Sequence, residues 1–177
     1  MTVEWKKAEW RLRLRWRDRH KEEPIDALHN AGRSVLAMNK RQSLSLDIRQ
    51  GISRAVNLFT RLDVLSQKLS APAGQAVEQP PASRAGFAIS QEIGWQPLPR
   101  LRLYARLTIF ESPGGEAIYL YERDLPGLVT NFSLREQGER GYIYIVLQLS
   151  PGLQLSAKAS RMWRLGDQDT TNGGFAW

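Results

Sequence analysis

Trp10-Arg11-Leu12-Arg13-Leu14-Arg15-Trp16-Arg17-Asp18-Arg19 alternates with a strict two-residue period. In an extended strand, successive side chains point to opposite faces. The five arginines would then share one face, and Trp10, Leu12, Leu14 and Trp16 the other. A helix would scatter both sets around its circumference. A strand written this way belongs to a sheet that meets an apolar medium on one side and a charged, wet one on the other.

The same writing recurs along the chain. Leu44, Leu46 and Ile48 oppose Ser43, Ser45, Asp47 and Arg49. Val56, Leu58, Thr60, Leu62 and Val64 share a face opposite Asn57, Arg61 and Asp63, with Phe59 as an interruption. Leu101, Leu103, Ala105, Leu107 and Ile109 oppose Arg100, Arg102, Tyr104, Arg106 and Thr108. Leu153, Leu155, Ala157 and Ala159 oppose Gln154, Ser156, Lys158 and Ser160. These segments place strands at 9–19, 98–110 and 153–164; a short strand at 34–38, turning at Asn39 and Lys40 into 43–50, and strands at 87–95, 117–122, 128–135 and 142–149 are also expected. Short turn signals separate most of them, such as Pro126-Gly127 and Ser150-Pro151-Gly152. Residues 20–33, with Pro24 and Gly32, read as a polar connection. A helix over 25–38 is the competing expectation there, because Ile25, Leu28, Val35 and Met38 are spaced helically and only Gly32 opposes it. The stretch 70–86, poor in large apolar residues, reads as a flexible loop.

The expected fold is therefore all-β, an antiparallel up-and-down barrel of about 8–10 strands in one domain spanning 1–177. Transmembrane strands need about 9–11 tilted residues with an apolar outer and a polar inner face, which the longer segments approach. Aromatic residues near strand ends suit an interfacial girdle: Trp5, Trp10, Trp16, Trp95, Tyr104, Tyr119, Tyr121, Tyr142, Tyr144 and Trp163. A soluble barrel or half-solvated sheet has the same alternation and stays open as an alternative. In a membrane barrel Arg11, Arg13, Arg15, Arg100, Arg102 and Arg106 line the lumen, since a charge on the lipid face costs roughly 2–4 kcal/mol near the midplane. In a narrow barrel filled by side chains they need Glu9, Asp18, Asp47, Asp63 or Glu92 as partners.

The net charge of +7 fits an anionic membrane surface, nucleic acid or an arginine-lined cavity. The absence of cysteine fits a reducing compartment or a barrel that needs no disulfides. No run of eighteen apolar residues marks a transmembrane helix. The start, MTVEWKKAEW, lacks the apolar centre of a signal peptide, so an outer-membrane location implies a fragment, or a piece of a larger precursor or barrel.

No catalytic constellation competes with the barrel pattern. His20 and His29 lie in a polar connection without a second ligand at useful spacing, so no metal or cofactor is expected. Ser66, Ser83, Ser90 and Ser112 have no nucleophile-elbow context. Glu122 and Asp124 would share a strand face as an acid/base pair, but a salt bridge to Arg123, Arg135 or Arg140 is the plainer account. Arginines interleaved with aromatics could hold a polyanion nonspecifically, yet nucleic acid is not the expected partner of this segment.

Tyr119-Leu120-Tyr121-Glu122-Arg123-Asp124, then Phe132, Gly138, Arg140-Gly141-Tyr142 and the strand LQLSAKASRMWRL, resembles the C-terminal barrel region of large Bacteroidota-type outer-membrane proteins. These often carry an N-terminal competence-type helix-hairpin-helix domain. The likeness covers residues 86–164. Arg123 departs from it, standing where a small polar residue is usual, and the last strand is reduced to the stub 170–177. The resemblance implies an outer-membrane protein, a passive pore or the anchor of a larger assembly, with lipid and other outer-membrane or periplasmic components as partners. Any DNA-related role would belong to the helix-hairpin-helix part. The alternative from another class is a soluble barrel binding an apolar or anionic ligand, its leucines inward and its arginines outward.

Overall fold

A computed structural model describes residues 1–26, 34–70, 83–112, 117–128 and 131–164. Ten strands and no helix occur among them: β1 (Thr2–Lys7), β2 (Trp10–Asp26), β3 (Ser34–Gly51), β4 (Val56–Ser70), β5 (Ser83–Leu98), β6 (Leu101–Ser112), β7 (Ile118–Tyr121), β8 (Asn131–Leu134), β9 (Glu136–Ser150) and β10 (Leu153–Arg164). Eight form one antiparallel meander in the order β1-β2-β3-β4-β5-β6-β9-β10. The sheet is open: among the described residues β1 and β10 are its two edges and do not pair with each other.

Several elements differ from the sequence reading. Residues 117–122 and 128–135 were expected in the wall. Instead β7 and β8 pair only with each other, as a separate hairpin inserted between β6 and β9. Residues 20–26 are not a connection, because β2 continues to Asp26 opposite Ser34 of β3. That also removes the ends of a helix over 25–38; its middle, 27–33, lies outside the described residues. Asn39 and Lys40 do not turn, and β3 runs straight through them. Strand pairing likewise takes Ser70 and 83–86 from the expected loop, whose remainder, 71–82, lies outside the description. Pro24 is tolerated in β2 because β1 pairs only as far as Arg15, so β2 has a single neighbour at that height.

Register carries the two faces across the whole sheet, since directly opposed residues share a side. One row runs Arg13, Asp47, Arg61, Ser90, Thr108 and Arg140. The adjacent outer row runs Leu14, Leu46, Leu62, Ile89, Ile109 and Glu139. The hairpin lies against the first face, here called inner. Ile118, Leu120 and Leu134 pack on Leu65, Ala88 and Phe110 in a small apolar core. A second cluster joins Tyr142, Tyr144 and Val146 to Tyr104 and Leu125.

The connections are asymmetric. At one end the strands are joined by short turns, at 8–9, 52–55, 99–100 and 151–152. At the other the chain crosses through 27–33, 71–82 and the hairpin-bearing segment 113–135. At 52–55 the Ser53 Oγ accepts from the backbone N–H groups of Ala55 and Val56, closing the turn locally.

Candidate functional site

Polarity in this sheet is inverted relative to a water-soluble one. The buried, inner face carries Asp47, Asp63, Ser90, Glu92, Arg106, Thr108 and Arg140. The outer face exposes Ile89, Ile93, Leu107, Ile109, Ile143, Ile145 and Leu155, of which Ile143 is 56% and Leu155 55% accessible. From Phe87 to Trp95, interrupted at Gln91, which accepts a hydrogen bond from Thr60 at 2.6 Å, and from Leu101 to Ile109, the outer band spans about 26 Å of strand, or roughly 20 Å once tilted as barrel strands are. Toward the long connections the outer positions turn polar, at Asp18, Gln42, Lys68, Glu111, Glu139 and Arg161. Trp10 and Trp95 sit at the short-turn margin of the band, and Trp16 and Trp163 toward the other.

The expected girdle is thereby corrected. Tyr104, Tyr142 and Tyr144 face inward, with the Tyr104 and Tyr144 rings stacked at 6.1 Å between centroids. Tyr119 and Tyr121 belong to the hairpin rather than the wall.

Inner-face charges are paired in clusters. Arg15 donates to Asp47 at 3.0 Å, and Arg61 grips Asp63 through two hydrogen bonds of 2.6 and 2.9 Å. Ser45 donates to the same carboxylate at 2.6 Å. Glu92, 2% accessible, accepts from Arg123 at 2.9 Å and from the Tyr142 hydroxyl, with Arg106 at 3.2 Å. Burial disfavours the Arg123 cation, but Glu92 outweighs it and holds the guanidinium pKa above the ordinary arginine value.

The hairpin is tied down by the same chemistry. Glu122, 1% accessible, receives Arg140 through hydrogen bonds of 2.7 and 3.1 Å and Lys158 at 3.2 Å. Arg140 also lies 3.5 Å over the Phe132 ring, a cation–π contact. Lys158 reaches Asp124 at 3.7 Å. Arg106 donates to the Tyr121 carbonyl at 3.0 Å and Arg41 to that of Ala117 at 2.8 Å. Glu122, Phe132, Arg140 and Tyr142, read from sequence as a motif, are thus a wall-to-hairpin anchor. Of the partners proposed for Glu122 and Asp124, Arg140 is the one that meets Glu122.

Beside this anchor lies a cavity of about 720 Å³, between the β2–β4 wall and the hairpin. Of the arginines expected to line a lumen, Arg11, Arg13, Arg15 and Arg106 line it. Arg102 shares the inner face, opposite Val146. Arg100 differs: it sits in the exposed turn between β5 and β6. Arg49 and Arg61 also line the cavity. Their parity with Asp47 and Asp63 was the signal that places them there. Phe59, an interruption of the outer pattern, is an inner residue whose ring carries Arg49 at 5.1 Å and Arg106 at 5.3 Å. Among the described residues no group of three or more His, Asp or Glu is placed to hold a metal.

No family model matches this chain, and neither a curated protein nor a solved structure matches it.

Proposed function

We propose that this chain forms part of the wall of an outer-membrane β-barrel whose interior favours anions, acting as a passive pore or as the anchor of a larger assembly. The observation that carries this reading is the placement of polarity: a mainly apolar outer band of roughly 20 Å, somewhat short of the apolar band of about 25 Å usual in outer-membrane barrels, over an inner face that holds the paired charges. A soluble sheet would leave that band in water, and exposed apolar patches of such extent mark a contact surface. Short turns at one end and long connections at the other are the usual asymmetry of outer-membrane barrels. The likeness of residues 86–164 to barrel regions of Bacteroidota-type outer-membrane proteins points the same way.

Lipid imposes one further demand. Unpaired backbone groups are not tolerated in hydrocarbon, so the free edges of β1 and β10 must find partners in the membrane-inserted state. Barrel closure is part of the proposal.

Membrane fractionation and site-directed labelling test it. The protein should require detergent for extraction. A cysteine at position 103 should react only with a lipid-phase reagent, and one at 102 only with a water-phase reagent; the chain has no cysteine of its own to interfere. A monodisperse monomer free of detergent, with position 103 labelled from water, would establish the soluble binding module instead.

A further inference from the structure

The cavity beside the hairpin holds more positive charge than its carboxylates neutralise. Eight basic residues line it against three acidic ones. The three are Glu9, Asp47 and Glu92; Glu4, on β1 and outside the lining, serves Lys6, Arg11 and Arg13, at 3.4–3.7 Å. Asp47 serves Arg15, with Arg61 at 3.8 Å, while Arg61 is held chiefly by Asp63 from outside the lining; Glu92 serves Arg106 and Arg123. Arg49 has no carboxylate partner among the described residues and rests on the Phe59 ring alone. Arg15 Nε and Arg106 Nε are buried N–H groups without an acceptor.

We infer that this cavity is a discrete binding site for a small polyvalent oxyanion of the phosphate or diphosphate class. Guanidinium forks match tetrahedral oxyanions through paired N–H donors, which a monatomic ion cannot use. The volume of about 720 Å³ falls within the range of small-molecule sites and accommodates such an anion with its water. The surplus is fixed by the fold, because the register sets arginines in two successive inner rows, Arg11 opposite Arg49 in one, and Arg13 with Arg61 in the next, across Asp47. Arg11 and Arg13 are the more accessible of these side chains, whereas Arg15, Arg61 and Arg106 are the more buried. The inference deepens the anion-favouring interior proposed above and rests on it.

The test is calorimetric titration of the full chain in detergent micelles with pyrophosphate, in excess sodium chloride. Saturable binding is expected, weakened roughly tenfold or more by Arg49→Gln through loss of a charge-assisted contact. Arg49→Gln strands no buried carboxylate, and Arg13→Gln, whose partner Glu4 keeps Lys6 and Arg11, is a second variant should the first fold poorly. Arg19→Gln, on the same face but outside the cavity, should change affinity less than about twofold, since screening leaves a distant charge little influence. Equal weakening by Arg19→Gln and Arg49→Gln would show a diffuse ion atmosphere and overturn the site. So would absence of saturation. Planar-bilayer conductance separates the two readings: binding without conductance removes the pore and keeps the site, whereas anion conductance without saturable binding does the reverse.

Discussion

Glu122→Gln removes one charge at the point where the inserted hairpin meets the wall. The carboxylate is 1% accessible and takes Arg140 at 2.7 Å and Lys158 at 3.2 Å. The amide keeps the shape but leaves two buried cations facing a neutral group. Removing one partner of a buried ion pair typically costs about 3–5 kcal/mol. Lys158 keeps Asp124 at 3.7 Å, and Arg140 keeps the Phe132 ring and Ser160, which favours the lower half of that range. The loss of about 3 kcal/mol should be read by denaturant titration in micelles. Hydrogen exchange should show β7 opening before the wall strands. The double variant Glu122→Gln/Arg140→Met should be more stable than the sum of the single effects predicts, because the cation stranded by the first change is absent. A loss below about 1 kcal/mol for Glu122→Gln, or strict additivity in the cycle, would refute the assignment of this cluster as the hairpin's anchor.

Leu107→Arg places a charge in the middle of the outer band, and in a bilayer should cost roughly 2–4 kcal/mol, read by folding titrations into lipid vesicles. An effect within about 0.5 kcal/mol would match a water-facing surface and count against the membrane reading. Gly138→Ala should destabilise by about 1–3 kcal/mol, because its Cβ would lie 3.0 Å from the Phe110 ring and closer still to the Trp163 carbonyl. Thermal unfolding in detergent would show it, and Phe110→Leu in the same chain should relieve part of the loss. Charge reversal at Arg13 together with Arg102 should shift reconstituted channels from anion toward cation preference, measured as a reversal potential under a salt gradient. No shift in channels that still conduct would place those side chains away from the ion path.

The division of the chain into two faces was written in the sequence, because a period of two survives any choice of neighbour. The outer leucines of β6 and β10 and the inner arginines of β2 follow from it directly. Strand ends were less legible. β1 alternates Val3 and Trp5 with Glu4 and Lys6, too short and too charged to stand out, and its pairing comes from the adjacent β2. Residues 20–26 lack a strand pattern of their own; the backbone ladder with β3 extends them. The hairpin was beyond sequence reading altogether. Ile118-Tyr119-Leu120-Tyr121 and Asn131-Phe132-Ser133-Leu134 alternate as a wall strand does, and nothing local says that they leave the wall. Tertiary structure decides it, because β6 and β9 pair directly from Leu101–Leu147 to Ser112–Glu136 and leave the hairpin no place between them. Its apolar side then finds Phe110, Ala88 and Leu65, and Glu122 finds Arg140 and Lys158. Alternation fixes which way a side chain points. Which charge it meets depends on contacts such as that between Glu92 and Tyr142, far apart in the chain, and only the folded sheet brings them together.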